Sequence, residues 1–159
     1  MAKGAGGGQW RWLWLTFGVI ALDQFTKSVA KYYLSTFSDV NEFFWLNFVT
    51  VHNTGSAFGF LDNQSGWQLW LFAALALAVS IGILVYLWKA SGIHPYTAAA
   101  LALILGGALG NLYDRVVYGY VMDFIDVHFG SWHWPAFNIA DSAISIGVIL
   151  LLISAFRKA

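Results

Sequence analysis

A mainly α-helical membrane protein, with four transmembrane helices and a small extracytoplasmic β-sheet, is the fold class this sequence predicts. Three observations carry that prediction. The 159 residues are 59% hydrophobic and 10% charged, with a mean hydropathy of +0.65, against about 45–50% apolar and about 25% charged residues in an average soluble domain. Four windows are mostly apolar over the roughly 20 residues needed to cross a hydrocarbon core about 30 Å thick. Polar and turn-forming residues collect in two stretches between those windows. No polar block is large enough to build a separate core, so one integral-membrane domain is expected over residues 1–159.

The predicted spans are 12–33, 67–88, 96–113 and 139–156. The first follows Lys3 and Arg11 but lacks a small-x-small cleavage site, so it reads as a retained anchor. Gly4 to Gly8 ahead of it read as a flexible tail. Segment 34–66 contains Phe43-Phe44-Trp45-Leu46-Asn47-Phe48-Val49-Thr50-Val51, an aromatic and β-branched run bounded by turn formers, which predicts a short strand. Segment 114–138 contains Tyr120 to Phe129, an extended arm between Gly119 and Gly130. With an even number of spans, both termini and the 89–95 loop share one side. They carry Lys3, Arg11, Lys89, Arg157 and Lys158, leaving Lys27, Lys31 and Arg115 for the other, so the positive-inside rule puts both termini in the cytoplasm. Segments 34–66 and 114–138 then face outward.

Zero formal net charge and the lack of any Lys/Arg run argue against nucleic-acid binding. Without cysteine the chain has no thiol nucleophile, disulfide framework or Cys-based metal site. His128 and His133 do not form a metal-binding pattern, so neither a metal nor another cofactor is expected.

Several polar residues stand out against the apolar background. An ionised acid at the bilayer centre costs about 2.5–3.5 kcal/mol on insertion scales, so Asp23 needs a partner. Lys27 is four residues on, and the pair reads either as a structural ion pair or as part of a site. Asn53 and Gly55, in Asn53-Thr54-Gly55-Ser56, read as an ordinary turn or as a place where backbone approaches a ligand. Asn111 and the Asp114-Arg115 pair end the third span, where Arg115 is placed to neutralise carboxylates or to hold a lipid phosphate. Asp141 follows Asn138, a candidate N-cap, and an acid in a first turn stabilises a helix by about 0.3–1 kcal/mol. Nothing local explains Asp123, flanked by Met122 and Phe124, and its competitor Asp126 falls on the opposite face of an extended arm. Two carboxylates held close cannot comfortably both ionise, so one keeps a proton while the other serves as a general base. Asp123 and Asp141 are the candidates for that pair.

Five blocks in order, Asp23-Gln24-x-x-Lys27, Asn53-Thr54-Gly55-Ser56-Ala57-Phe58, Gly106 to Arg115, Val121-Met122-Asp123-Phe124 and Phe137-Asn138-Ile139-Ala140-Asp141-Ser142, resemble the lipoprotein signal peptidases, or signal peptidase II. The resemblance runs from about residue 10 to 156. It implies an aspartyl endopeptidase of the bacterial inner membrane that cuts diacylglyceryl-modified prolipoproteins before the lipidated lipobox cysteine. Asp123 and Asp141 are then the catalytic dyad, with Asp23, Lys27, Asn53, Gly55, Asn111, Arg115 and Asn138 around it. It further implies a short interfacial, lid-like helix in segment 34–66, contact with membrane lipids and sensitivity to a globomycin-type inhibitor. Nothing requires more than a monomer. Met122 departs mildly from the motif, which often has a β-branched residue there.

Two other readings compete. A serine protease would use Ser56 or Ser142 with a histidine, but no Ser-His-acid arrangement is legible. A small transporter or channel would route ions past the buried acids and Arg115, and the inverted repeats that would support it are not visible.

Overall fold

The computed structural model describes residues 9–36, 44–55 and 66–156. Its helices, in chain order, are α1 (Leu13–Thr36), preceded by a single 3₁₀ turn (Trp10–Trp12), α2 (Trp67–Lys89), α3 (Pro95–Tyr118) and α4 (Ile139–Phe156). Strands β1 (Leu46–Asn53), β2 (Val121–Phe129) and β3 (Trp132–His133) form an antiparallel sheet in the order β1-β2-β3. The short helix predicted in segment 34–66 and the tail Gly4 to Gly8 lie outside the described residues.

Three of the helices, α2, α3 and α4, are long and apolar enough to cross a membrane. α1 is as long as α3 but carries Asp23, Lys27 and Lys31. Its buried residues, Thr16, Val19, Asp23 and Lys27, recur at helical spacing along one stripe. Trp14, Phe17 and Phe25 lie exposed on its other side. In α2 the same logic buries Ala73, Ser80, Ile83 and Leu87 and leaves Trp70, Leu71 and Leu77 outside.

α3 packs against α1, α2 and α4, and its buried stretch from Ala98 to Gly110 is built largely from alanine and glycine. Between helices in lipid, small residues permit close backbone approach and so maximise packing contacts. Gly107 shows the requirement: a Cβ there would overlap the Ala140 carbonyl oxygen and come within 2.7 Å of Ile144. That contact sets the first turn of α4 directly against α3. Less than one turn earlier on α3, Ile104 and Leu105 meet Ile83 and Leu87 of α2 in an apolar cluster.

α3 runs five residues beyond the predicted end at 113, stopping at Gly119 in the left-handed conformation, with φ +78°. Asp114 does not break the helix because it is buried against Lys27. The strand predicted at 43–51 is realised as β1, and the extended arm as β2; the short β3 had no separate sequence signal. β2 turns at Gly130, with φ +62°, and the returning chain pairs Phe137 with Ile125 before α4 begins. That bridge places the N-terminus of α4 beside the buried start of β2.

Candidate active site

Asp123 lies opposite Val51 in the β1–β2 ladder and is 2% exposed. Its Oδ2 accepts a hydrogen bond from Asn53 Nδ2 at 2.9 Å and its Oδ1 one from Asn138 Nδ2 at 2.6 Å. Asn53 reaches it from the diagonal position two residues along β1, within range of side chains across a ladder. Burial is the main force that pushes the Asp123 carboxyl up to about 6; the Asn53 bond opposes it, the neighbouring Asp141 charge adds to it, and Asn138 and Lys27 also oppose it.

Asp141 is held by the cap of its own helix. Asn138 Oδ1 accepts from the Asp141 N–H at 2.9 Å, and Asp141 Oδ2 accepts from the Asn138 N–H at 3.2 Å. This is the reciprocal exchange of a capping box, with aspartate in the third helical position. The other oxygen, Oδ1, accepts from Asn111 Nδ2 at 2.8 Å. The helix-cap reading of Asp141 holds, and the same carboxylate also reaches Asn111. Asn138 is fully buried and binds both carboxylates, Asp123 through its side-chain amide and Asp141 through its backbone N–H. Asp123 and Asp141, eighteen residues apart in sequence, thus share a hydrogen-bonding partner.

A second polar cluster adjoins the first. Lys27 Nζ lies 2.8 Å from Asp23 Oδ2 and 2.6 Å from Asp114 Oδ2, and it donates to Asn111 Oδ1 at 3.1 Å. An ammonium is a donor only, so it fixes which end of the Asn111 amide is oxygen and turns the NH₂ toward Asp141. Asp23 Oδ1 also accepts the Ala140 N–H at 3.0 Å, and Gly110 leaves room for it, since a Cβ there would sit 2.9 Å from Asp23 Oδ2. Gln24 completes the cluster, donating to Asp114 at 2.8 Å and Asp23 at 3.2 Å.

Of the residues singled out by sequence, Asn53, Asn111 and Asn138 touch the two central carboxylates directly. Asp23 and Lys27 act one contact further out, through Ala140 and Asn111. Gly55 sits at φ +119°, its N–H donating to Asn53 Oδ1 at 2.8 Å in an Asx-type turn. The turn reading holds, and it leaves the Asn53 amide nitrogen to bind Asp123. Arg115 donates to the Asn111 carbonyl at 3.2 Å, and its guanidinium lies over the Phe72 ring at 5.6 Å. It is Lys27, and not Arg115, that pairs with Asp114. Sequence reasoning gave no role to Gln24 or to Asp114 on its own. Their spacing held a signal: Asp114 is three residues beyond Asn111, on the same helix face.

Asp126, the competitor of Asp123, accepts from Asn47 at 3.1 Å and lies 2.9 Å from His133 Nδ1, away from Asp141. The Ser142 hydroxyl donates to the Asn138 carbonyl at 3.0 Å, and no serine–histidine pair forms among the described residues. Ser56 lies outside them.

A sequence profile described as Signal peptidase (SPase) II matches residues 15–157. The chain is 47% identical over 148 residues to a lipoprotein signal peptidase of Alteromonas mediterranea, covering 93% of this chain and 81% of that one. It is 44% identical over 163 residues to one of Burkholderia thailandensis, covering 99% and 95%. Among solved structures, a bacterial membrane enzyme determined by the in meso method at 1.9 Å superposes with a TM-score of 0.76 at 31% identity, covering 94% of each chain. Another, at 2.3 Å, gives 0.76 at 32% identity, covering 92% of this chain and 88% of that one.

Proposed function

The chain belongs to the signal peptidase II family of membrane proteases, and from that membership we propose that it is an aspartyl endopeptidase removing signal peptides from diacylglyceryl-modified prolipoproteins. The cut falls before the lipidated cysteine, with Asp123 and Asp141 as the catalytic pair. The observation that carries this reading is the buried Asn138, hydrogen bonded to both carboxylates at once.

In the proposed reaction Asp123 keeps the proton, since burial disfavours its ionised form. Asp141, in the ionised form, takes a proton from a water whose oxygen attacks the scissile carbonyl, while the Asp123 O–H donates to the carbonyl oxygen. As the tetrahedral intermediate collapses, the C–N bond breaks and the cysteine nitrogen leaves with a proton delivered by the pair. The products are the signal-peptide carboxylate and a free lipidated amine. Asn53, Asn111 and Asn138 hold both acids in place without neutralising them, and the Asp23–Lys27–Asp114 cluster fixes Asn111 and the first turn of α4.

On this reading the protein is a single unit of the bacterial inner membrane that works as a monomer, with α1 as a fourth span. The polar groups of α1 support that placement by turning inward: Asp23 is fully buried and Lys27 5% exposed. The positive-inside count supports cytoplasmic termini and a site near the outer face. The deciding experiment gives purified protein a lipidated prolipoprotein, with and without globomycin, beside Asp123→Asn and Asp141→Asn. Inhibitor-sensitive cleavage by the wild type alone is expected. Full cleavage by both variants overturns the dyad.

A further inference from the structure

A groove of about 340 Å³ opens beside Asp141, lined by Trp134, Phe137, Asp141, Ser142, Ser145 and Ile146. Asp141 and Ser145 are four residues apart and share a helix face. Ile149 and Leu152 extend that face along α4, 56% and 54% exposed, so an open apolar track leads from the carboxylate down a helix apolar enough to span the bilayer. Trp134, 52% exposed, and Phe137 wall its upper end.

The lining decides what fits. Among the described residues it holds no Lys, Arg or His, and its one ionisable group is the Asp141 acid. A phosphate headgroup would face the Asp141 carboxylate with no cation among the groove's described lining residues, which disfavours a phospholipid. The nearby Arg115 guanidinium is engaged by the Asn111 carbonyl and the Phe72 ring. An uncharged glyceryl diester suffers no such repulsion, and the exposed Ser145 offers a hydroxyl within the groove for an ester carbonyl. We propose that this groove seats the diacylglyceryl group of the substrate cysteine, its glyceryl esters beside Ser145 and its acyl chains running along Ile146 and Ile149 on α4. The inference rests on the peptidase reading above, which puts the scissile carbonyl at Asp141 and therefore the lipidated side chain within one residue of it. It assigns Trp134, Ser145 and Ile146 to substrate selection. A second apolar groove, of about 410 Å³ between α1 and the sheet, is lined by residues such as Phe25, Val29, Phe48 and Phe124 and does not include either central carboxylate. It serves as the internal control.

The test uses the full-length protein in nanodiscs and a lipidated peptide bearing a diazirine on the first acyl carbons beyond the ester. After irradiation of the slow Asp141→Asn variant with bound substrate, adducts are expected on Trp134, Ser145 or Ile146. In the active protein Ser145→Phe and, separately, Ile146→Trp should lower kcat/KM about tenfold through steric crowding, with most of the loss in KM. Adducts on Phe25, Val29 or Phe48, or confined to bulk lipid, overturn the assignment, as does an unmoved KM in both variants. Those failures leave an active protease whose lipid subsite lies elsewhere. A wild-type protein unable to cleave any lipidated peptide instead removes the peptidase reading, and the groove assignment with it.

Discussion

The two polar clusters of this molecule are neighbours, joined through Asn111, yet they treat their acids in opposite ways. Asp23 and Asp114 share the ammonium of Lys27 at 2.8 and 2.6 Å. Asp123 and Asp141 receive amide and backbone N–H donors, and neither forms a salt bridge among the described residues. Two buried acids that share one ammonium are tied to a fixed countercharge, which suits a structural strut. Amide donors orient a carboxylate without fixing its protonation state to the same degree, which suits a group that must gain and lose protons. On the proposed peptidase reading the contrast makes one cluster structural and the other catalytic, and mutating each can break it.

The largest effect is expected at the amide-bound pair. Asp123→Asn or Asp141→Asn should each lower kcat by about 10³-fold or more, and the double variant should fall little further, because groups acting as one unit are not additive. The folded protein should persist, since asparagine keeps the shape. Losses that multiply in the double variant would mean that the two acids act independently.

Lys27→Met should show the reverse pattern. It leaves Asp23 and Asp114 buried without their cation, and breaking a buried ion pair costs about 3–5 kcal/mol. A marked drop in the unfolding temperature in detergent is expected, with activity falling because less protein is folded. Adding Asp23→Asn and Asp114→Asn to Lys27→Met should recover much of that stability, since a neutral cluster has no unpaired charge. A stable but inactive Lys27→Met protein would move the lysine from the strut to the chemistry.

Arg115→Ala should have an intermediate effect, lowering kcat/KM about tenfold. It removes a charged donor from the Asn111 carbonyl, a bond worth about 1.5–3 kcal/mol, together with a positive charge near both central acids. Unchanged kcat and KM would take Arg115 out of the site.

How much of this was legible in sequence differs between the clusters and the scaffold. The helices were readable because hydropathy reports them directly, and α4 spans the predicted residues 139–156. The end of α3 was not, because Asp114 and Arg115 close the apolar run and nothing local shows that Lys27 pairs with Asp114 inside the bundle. Each local reading of Asp141 and Asn53 was sound as far as it went: one lies in a capping box, the other in an Asx-type turn. Local patterns carry no information about the other hydrogen bonds of those side chains. Those bonds depend on the Ile125–Phe137 bridge and on Gly107 packing against Ala140, both long-range contacts. The five-block resemblance supplied the pairing of Asp123 with Asp141, which spacing alone could not.

The smallest effect, and the most diagnostic, is a shift in pH dependence. Asp123 is pushed from the ordinary 3.8 up to about 6. If it must carry its proton, kcat/KM of the free enzyme falls as pH rises through about 6. The Asn53 amide donates to Asp123 Oδ2 and so favours the ionised form. Asn53→Ala removes that donor, the carboxyl holds its proton to higher pH, and the alkaline limb should move upward while the loss at its plateau stays modest. A role for Asn53 confined to the turn with Gly55 would lower activity equally at every pH. A rate that climbs with pH through the same window would assign the general base to Asp123 and the proton to Asp141, reversing their parts while leaving the pair intact.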